Sequence, residues 1–265
     1  MELFPGVHSI PVGQGPFMGF YAPNVYLVAG QKAALIDSGY GDEASIQARL
    51  DYIRNLAIPL AYILITHAHQ DHTGGAGAIQ KATRAKILLH RVEAQRSGLG
   101  DGQLEGGEVL DLGRKSLEIV HTPGHVFGHI CPFLREGGVL FSGDHILGIG
   151  TTVISPTQGD MGLYMESLAK LLDLPVQVIC PGHGPPIRQA QAKVQELLHH
   201  RREREEQVRS CLARGKGTVE AMLKEIYPEL DPRLHTMARD QILAHLKKLE
   251  KEGRVVGRDD KYFLN

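Results

Sequence analysis

Cysteine is scarce in this chain of 265 residues. Only Cys131, Cys180 and Cys211 occur, widely spaced and with no Cys-x-x-Cys. An odd, scattered set argues against a disulfide framework or a cysteine zinc knuckle and predicts a reducing, cytoplasmic setting. The N-terminal stretch MELFPGVHSIPVG lacks a basic region followed by a long apolar run, so no secretory signal is expected. No segment approaches the roughly 20 apolar residues of a membrane span, so no membrane partner is expected. A net charge of -1 provides no global field that would draw nucleic acid or membrane. Internal repeats and low-complexity tracts are also missing. The composition is ordinary, 42% apolar and 22% charged, enough for one large domain or a domain with a small appendage.

Histidine is the residue in excess. There are 14, most of them beside Gly, Pro, Asp or Thr rather than inside apolar runs. Residues 24–36 read as two strands joined at Ala29-Gly30-Gln31 and ending in the turn Asp37-Ser38-Gly39. Helical spacing follows over 43–56, then a buried strand at 62–65 and a helix over 74–83. Strands are predicted near 86–90, 117–121, 129–134, 138–142 and 176–180, with a helix over 161–172. This order implies a layered α/β (α+β) domain with functional loops at strand ends. Beyond Pro185-Pro186 come helical stretches at 188–214, 218–227 and 232–252, then a hairpin over 254–264. Helix, helix, hairpin is the order of a winged helix. The expected division is a catalytic domain over 1–187 and a helical linker with a winged-helix-like domain over 188–265. Residues 1–185 carry 12 Lys+Arg against 17 Asp+Glu, a balance of -5; residues 186–265 carry 17 against 13, a balance of +4. The basic tail is compatible with nucleic acid, and a solvated helical face is the commoner explanation.

Five loop motifs follow short strands: Asp37-Ser38-Gly39, Thr66-His67-Ala68-His69-Gln70-Asp71-His72, His121-Thr122-Pro123-Gly124-His125, Ser142-Gly143-Asp144-His145 and Pro181-Gly182-His183-Gly184-Pro185. In extended chain, residues two apart share a face, so His67 and His69 can meet one metal. Asp71 and His72 arrive as the chain turns into the next helix and aim at a second. Imidazole and carboxylate suit Zn²⁺ first, with Mn²⁺ or Fe as alternatives. His125 and His183 sit in Pro-Gly-His turns and complete the two sets. Asp144 can bridge with both oxygens. The expected sites are His67, His69 and His125 on one ion, Asp71, His72 and His183 on the other, and Asp144 between them.

These motifs, THAHQDHTGG, TPGH, SGD and PGHG, resemble the metallo-β-lactamase superfamily in order and spacing over about residues 20–187. The resemblance implies a four-layer αββα sandwich, a metal pair at one edge, and Asp37 as a residue that orients the histidines. Asp144 argues against the zinc β-lactamases, which carry cysteine there or lack a bridging carboxylate. His69 argues against the flavodiiron proteins, which carry glutamate there. FSGDHILGIGTTV, Tyr164-Met165-Glu166-Ser167-Leu168, PGHGPPI, HHRREREEQ and HLKKLEKEG are similar to the lactamase-β-like endoribonucleases, which also end in a winged-helix-like tail. Two departures stand out: Val126, where many relatives have threonine, and the Gly-rich segment within 91–108, expected to alter the rim of the cleft.

The implied chemistry is hydrolysis. Two cations sharing a water lower its pKa toward ~7, which supplies hydroxide without a side-chain nucleophile and fits the absence of Gly-x-Ser-x-Gly. Asp71 and Asp144 are the acidic groups placed to take part. His129 is read as a substrate-contacting or ligand-supporting group, with a structural histidine as the equal alternative. Gly150-Thr151-Thr152 and Tyr164 are possible cleft residues, with packing the commoner role. His121 is read as structural and His145 as pointing away from the metals. The first expectation for substrate is single-stranded RNA. A thioesterase of the hydroxyacylglutathione (glyoxalase II) type, a lactonase, and a non-enzymatic nucleic-acid-binding module are the alternatives. An apolar face on the tail helices is compatible with a homodimer.

Overall fold

The computed structural model describes residues 1–10 and 22–265. Residues 11–13 of the N-terminal stretch, and the first two residues of the segment that resembles a known family, lie outside the described residues. The described chain divides into two compact units. The first comprises Met1–Thr122, Gly128–Thr151 and Leu174–Gln191; the second comprises Pro123–Phe127, Thr152–Asp173 and Ala192–Asn265. Two segments numbered below 188 therefore group with the C-terminal helices.

The first unit holds two sheets. The larger runs in the order β1 (Glu2–Phe4), β2 (Val7–Ile10), β3 (Val25–Ala29), β4 (Ala33–Ile36), β5 (Leu60–Leu64), β6 (Lys86–His90) and β7 (Gly102–Leu104). Pairing is antiparallel as far as β4 and parallel from β4 to β7. The smaller sheet contains β8 (Val109–Asp111), β9 (Ser116–His121), β10 (Ile130–Leu134), β11 (Val139–Gly143) and β12 (Val178–Pro181), with β11 and β12 parallel.

Period-two patterning explains the layering. Tyr26, Val28, Ala34 and Ile36 of the larger sheet share a core with Leu117, Ile119, Ile130 and Phe141 of the smaller one. Val25, Leu27, Ala33 and Leu35 face the other way and join a second core with Ile53 and Ile79. Those two come from helices α1 (Glu43–Asn55) and α3 (Ala76–Thr83), the larger sheet's outer layer. Because both faces of β3 and β4 are covered, the strands read as continuous apolar runs. Asp42 starts α1 by accepting the Ser45 N–H at 2.9 Å.

Sequence and structure differ over 91–108. Residues ahead of the Gly-rich segment form helix α4 (Arg91–Ser97), and the segment itself adds β7 to the sheet edge. Asp101 makes this possible: its carboxylate accepts from Ile87 N–H at 2.8 Å and from Gln80. Strands β1, β2 and β8 were also not anticipated, since each is only three or four residues long. A short helix α2 (Gln70–Thr73) precedes α3, so the predicted helix over 74–83 begins later than its pattern suggested.

The second unit contains α5 (Met161–Leu171), α6 (Ala190–Ala213, whose first two residues lie in the first unit), α7 (Val219–Ile226), α8 (His235–Lys251) and the hairpin β13 (Val255–Arg258) and β14 (Lys261–Leu264). Ala238, Ile242 and Leu246 recur at helical spacing on α8 and pack with Val208, Cys211, Met222 and Leu223. The hairpin turns at Asp259 and Asp260, both in left-handed backbone (φ 45° and 60°), the combination that a tight two-residue turn requires. Among the described residues no helix is long and apolar enough to cross a membrane.

Candidate metal centre

The parallel strands of the first unit deliver the chemistry at their C-terminal ends, where open α/β sheets commonly bind ligands. Asp37 follows β4, His67 and His69 follow β5, Asp144 follows β11 and His183 follows β12. His69 caps α2, which carries Asp71 and His72.

Within this unit two groups form. His67, His69 and Asp144 each offer a ligand atom within 4.8 Å of the others, as do Asp71, His72 and His183. Asp144 divides its oxygens between them. Oδ2 lies 4.0 Å from His67 Nε2, whereas Oδ1 lies 3.4 Å from both His72 Nε2 and His183 Nε2. Asp71 Oδ2 is 3.2 Å from His183 Nε2 and 3.6 Å from His72 Nε2.

The histidines are held by the nitrogen that faces away. His72 Nδ1 donates to Asp37 Oδ2 at 2.7 Å. Thr66 Oγ1 donates to the same carboxylate at 2.9 Å and so accepts from His67 Nδ1 at 3.1 Å. Each ring then keeps its Nε2 lone pair for a ligand role. Asp37 is buried and also accepts the Thr66 N–H at 2.8 Å. Its own backbone is left-handed (φ 58°), a strained state for a residue with a side chain.

These residues fit a cation. His72 Nε2 is buried and makes no hydrogen bond, while carboxylate oxygens of Asp71 and Asp144 crowd it. Burial opposes charge on the His72 imidazole, yet Asp37 and Asp144 outweigh it and hold the group well above the usual histidine range. The pocket thus favours positive charge. Burial would raise the Asp71 carboxyl, but the hydrogen bond from His183 and the charge of His72 bring it below its ordinary value.

Supports that no sequence motif marked hold the ligand loops. The buried Glu93 accepts the N–H of Ala68, between His67 and His69, at 3.0 Å and pairs with Arg96 at 2.8 Å. Asn24 clasps the His183 turn, with Nδ2 donating to Pro181 O (2.9 Å) and Gly184 O (2.7 Å) and its N–H to Gly182 O (2.6 Å). Gly143 is left-handed (φ 45°), and a side chain there would collide with Thr66 and His129. Tyr40, just after the Asp37 turn, was also missed. Partial burial and then the Asp71 carboxylate raise its phenol, so it stays a proton donor beside the acidic groups.

The remaining predicted residues are placed as follows. His129 is fully buried, its Nδ1 2.9 Å from Thr122 Oγ1 and its ring 5.3 Å from that of His67. Its ring thus lies buried beside His67, one of the candidate ligands. His145 is buried beside His129. His121 stacks on His90 with ring centroids 4.3 Å apart. Thr151 is exposed. His125 and Tyr164 belong to the second unit. There His125 Nδ1 lies 2.7 Å from Val153 O. Tyr164 is fully buried and packs against Gly124, where any side chain would run into the tyrosine backbone.

Residues 18–183 match the metallo-beta-lactamase superfamily. The chain belongs to this superfamily. Members of this superfamily are hydrolases that typically hold divalent metals, and the His/Asp groups are the chain's candidate metal site. Residues 218–262 match the beta-lactamase associated winged helix domain, in agreement with the helix, helix, hairpin order. Lactamase-like protein adaB of Aspergillus niger is 34% identical over 205 residues, covering 77% of this chain and 63% of that protein. The chain thus spans less than two thirds of that relative's length. Beta-lactamase-like protein 2 homolog of Drosophila melanogaster is 33% identical over 254 residues, covering 90% of this chain and 85% of that protein. The crystal structure of a metallo-beta-lactamase family protein from Thermus thermophilus superposes with a TM-score of 0.82 at 26% identity, covering 100% of both chains. A beta-lactamase domain protein from Burkholderia ambifaria shares the fold, with a TM-score of 0.84 at 22% identity over 100% of this chain and 93% of that one.

Proposed function

We propose that the chain is a two-metal phosphodiesterase that cleaves single-stranded RNA. The observation that carries the two-metal part is Asp144, whose two oxygens face different histidine groups. In this reading His67, His69 and His125 would hold one ion and Asp71, His72 and His183 the other, with Asp144 a ligand available to both. Bound there, two divalent cations (zinc first, manganese or iron as alternatives) would lower the pKa of water and neutralise charge developing on a phosphoryl oxygen.

The chain's own residues do the rest. Asp37 and Thr66 fix the imidazoles so that little reorganisation is needed during reaction. Asp71, a member of the second group whose carboxyl is held below its ordinary value, would also guide a proton there. Tyr40 supplies a hydrogen-bond donor to an anionic substrate. RNA is favoured by the resemblance of the tail and of FSGDHILGIGTTV to the lactamase-β-like endoribonucleases, and by the +4 balance of residues 186–265. The division into a catalytic part (1–187) and a winged-helix part (188–265) belongs to the same proposal, as do a cytoplasmic location and a homodimer. The three cysteines, all buried and in no disulfide among the described residues, suit a reducing compartment.

The test offers single-stranded RNA, an S-acyl glutathione and a lactone in parallel, with Zn²⁺ or Mn²⁺ added. RNA cleavage that disappears in Asp144→Ala is expected. Hydrolysis of the thioester or the lactone alone would reject the RNA assignment. Undiminished turnover in Asp144→Ala would reject the two-metal site itself.

A further inference from the structure

Arg201 is a buried cation without an anion. It sits on α6 at 1% exposure, and among the described residues no carboxylate pairs with it. Its Nη1 donates to Gln241 Oε1 at 2.9 Å and its Nη2 to Thr152 O at 2.7 Å. The Tyr164 ring faces it, 5.1 Å from centroid to guanidinium carbon, while Nε makes no hydrogen bond. Desolvating a guanidinium without a counter-charge is unfavourable, and leucine or methionine would fill this volume with less penalty. A role in packing alone does not account for it.

The geometry around it points to one segment. Arg201 holds the carbonyl of Thr152, and Gln241 Nε2 donates to the carbonyl of Ile154 at 3.3 Å. The carbonyl between them, Val153 O, receives His125 Nδ1 at 2.7 Å. Thr152 Oγ1 stands 3.3 Å from the same nitrogen. A carbonyl can only accept, so this contact requires the proton on Nδ1 and leaves Nε2 as a lone pair. The other end of the histidine turn is fixed as well: Ser167 Oγ donates to Pro123 O at 2.8 Å and Asp160 N–H to Gly124 O at 2.8 Å. Every one of these residues belongs to the second unit.

We propose that Arg201 and Gln241 are positioning residues that clamp the segment 152–154 and thereby set the tautomer and orientation of His125. The C-terminal helices α6 and α8 would then govern affinity for the ion that His125 binds. This inference rests on the reading of His125 as a metal ligand.

The first test needs no variant. In the full-length, metal-free protein with ¹⁵N-labelled histidine, His125 is expected as the Nδ1–H tautomer. An Nε2–H tautomer, or averaging between the two, overturns the proposal. The second test compares zinc titrations by calorimetry. The double variant Arg201→Met/Gln241→Leu replaces the polar pair with apolar groups of similar size, so that neither side chain is left facing a lost partner while the Thr152 and Ile154 carbonyls are released. One of two ions should bind roughly 10–100-fold more weakly while the other is unchanged, the effect typical of losing a ligand's support. If the double variant fails to fold, the single variant Gln241→Met, which loses the Ile154 bond and the acceptor of Arg201 Nη1 but keeps the Arg201–Thr152 bond, should show a weaker shift in the same ion. His125→Ala separates the two readings. Two ions bound normally in His125→Ala would reject the reading of His125 as a ligand. Loss of an ion there, with both bound at wild-type affinity in the clamp variants, would reject the positioning role alone.

Discussion

At Asp37 one carboxylate serves Thr66 and His72 from a strained backbone. Strain of this kind costs about 1–3 kcal/mol and persists where the surroundings over-determine it. Asp37→Asn keeps the shape but can set an amide N–H against the N–H of His72. Zinc affinity at one of two sites should fall roughly 10–100-fold in calorimetric titration; equal affinities would show that His72 needs no such support. Residue identity made much of this site legible. The run 67–72 and the Pro-Gly-His turns place ligand-type side chains after buried strands, a pattern with few other uses. Glu93 and Asn24 were not legible, because they act on backbone groups of distant segments and carry no motif of their own.

Among the elements, α6 and α8 are joined by charge as well as by apolar packing. Glu205 lies between Lys248 (2.7 Å), His245 (3.8 Å) and Arg254 (3.8 Å). Burial would raise its carboxyl, but the nearby His245 imidazole and the ion pair with Lys248 bring it down to about 2. A group depressed from 4.5 stabilises the fold above that value and loses its contribution as pH falls from 4.5 toward 2. Glu205→Gln should therefore flatten the acid limb of stability, measured as urea midpoint against pH. Parallel limbs in both proteins would contradict the ion cluster. Long helices and the hairpin were readable from apolar spacing and turn residues. Short edge strands were not, since β7 depends on Asp101 reaching back to Ile87 and Gln80.

For the whole molecule, the order of strands has a consequence in time. The proposed ligands of the first unit run from His67 to His183 and come together where β5, β11 and β12 end. Contacts of such long sequence separation form late, after the chain-closure entropy of both sheets has been met. A cation binding these groups would then be absent from the folding transition state. Stabilisation of that kind appears in the unfolding rate and not in the refolding rate. For each ion bound, zinc at about 100 times its dissociation constant should add about 2.7 kcal/mol, which corresponds to roughly a hundredfold slower unfolding per ion. Stopped-flow measurements with and without chelator would check this; acceleration of refolding by the metal would place the centre in the folding nucleus instead. The carboxylate that divides its oxygens between two histidine groups is, on this view, a latch: it closes last, and it sets how long the folded protein lasts.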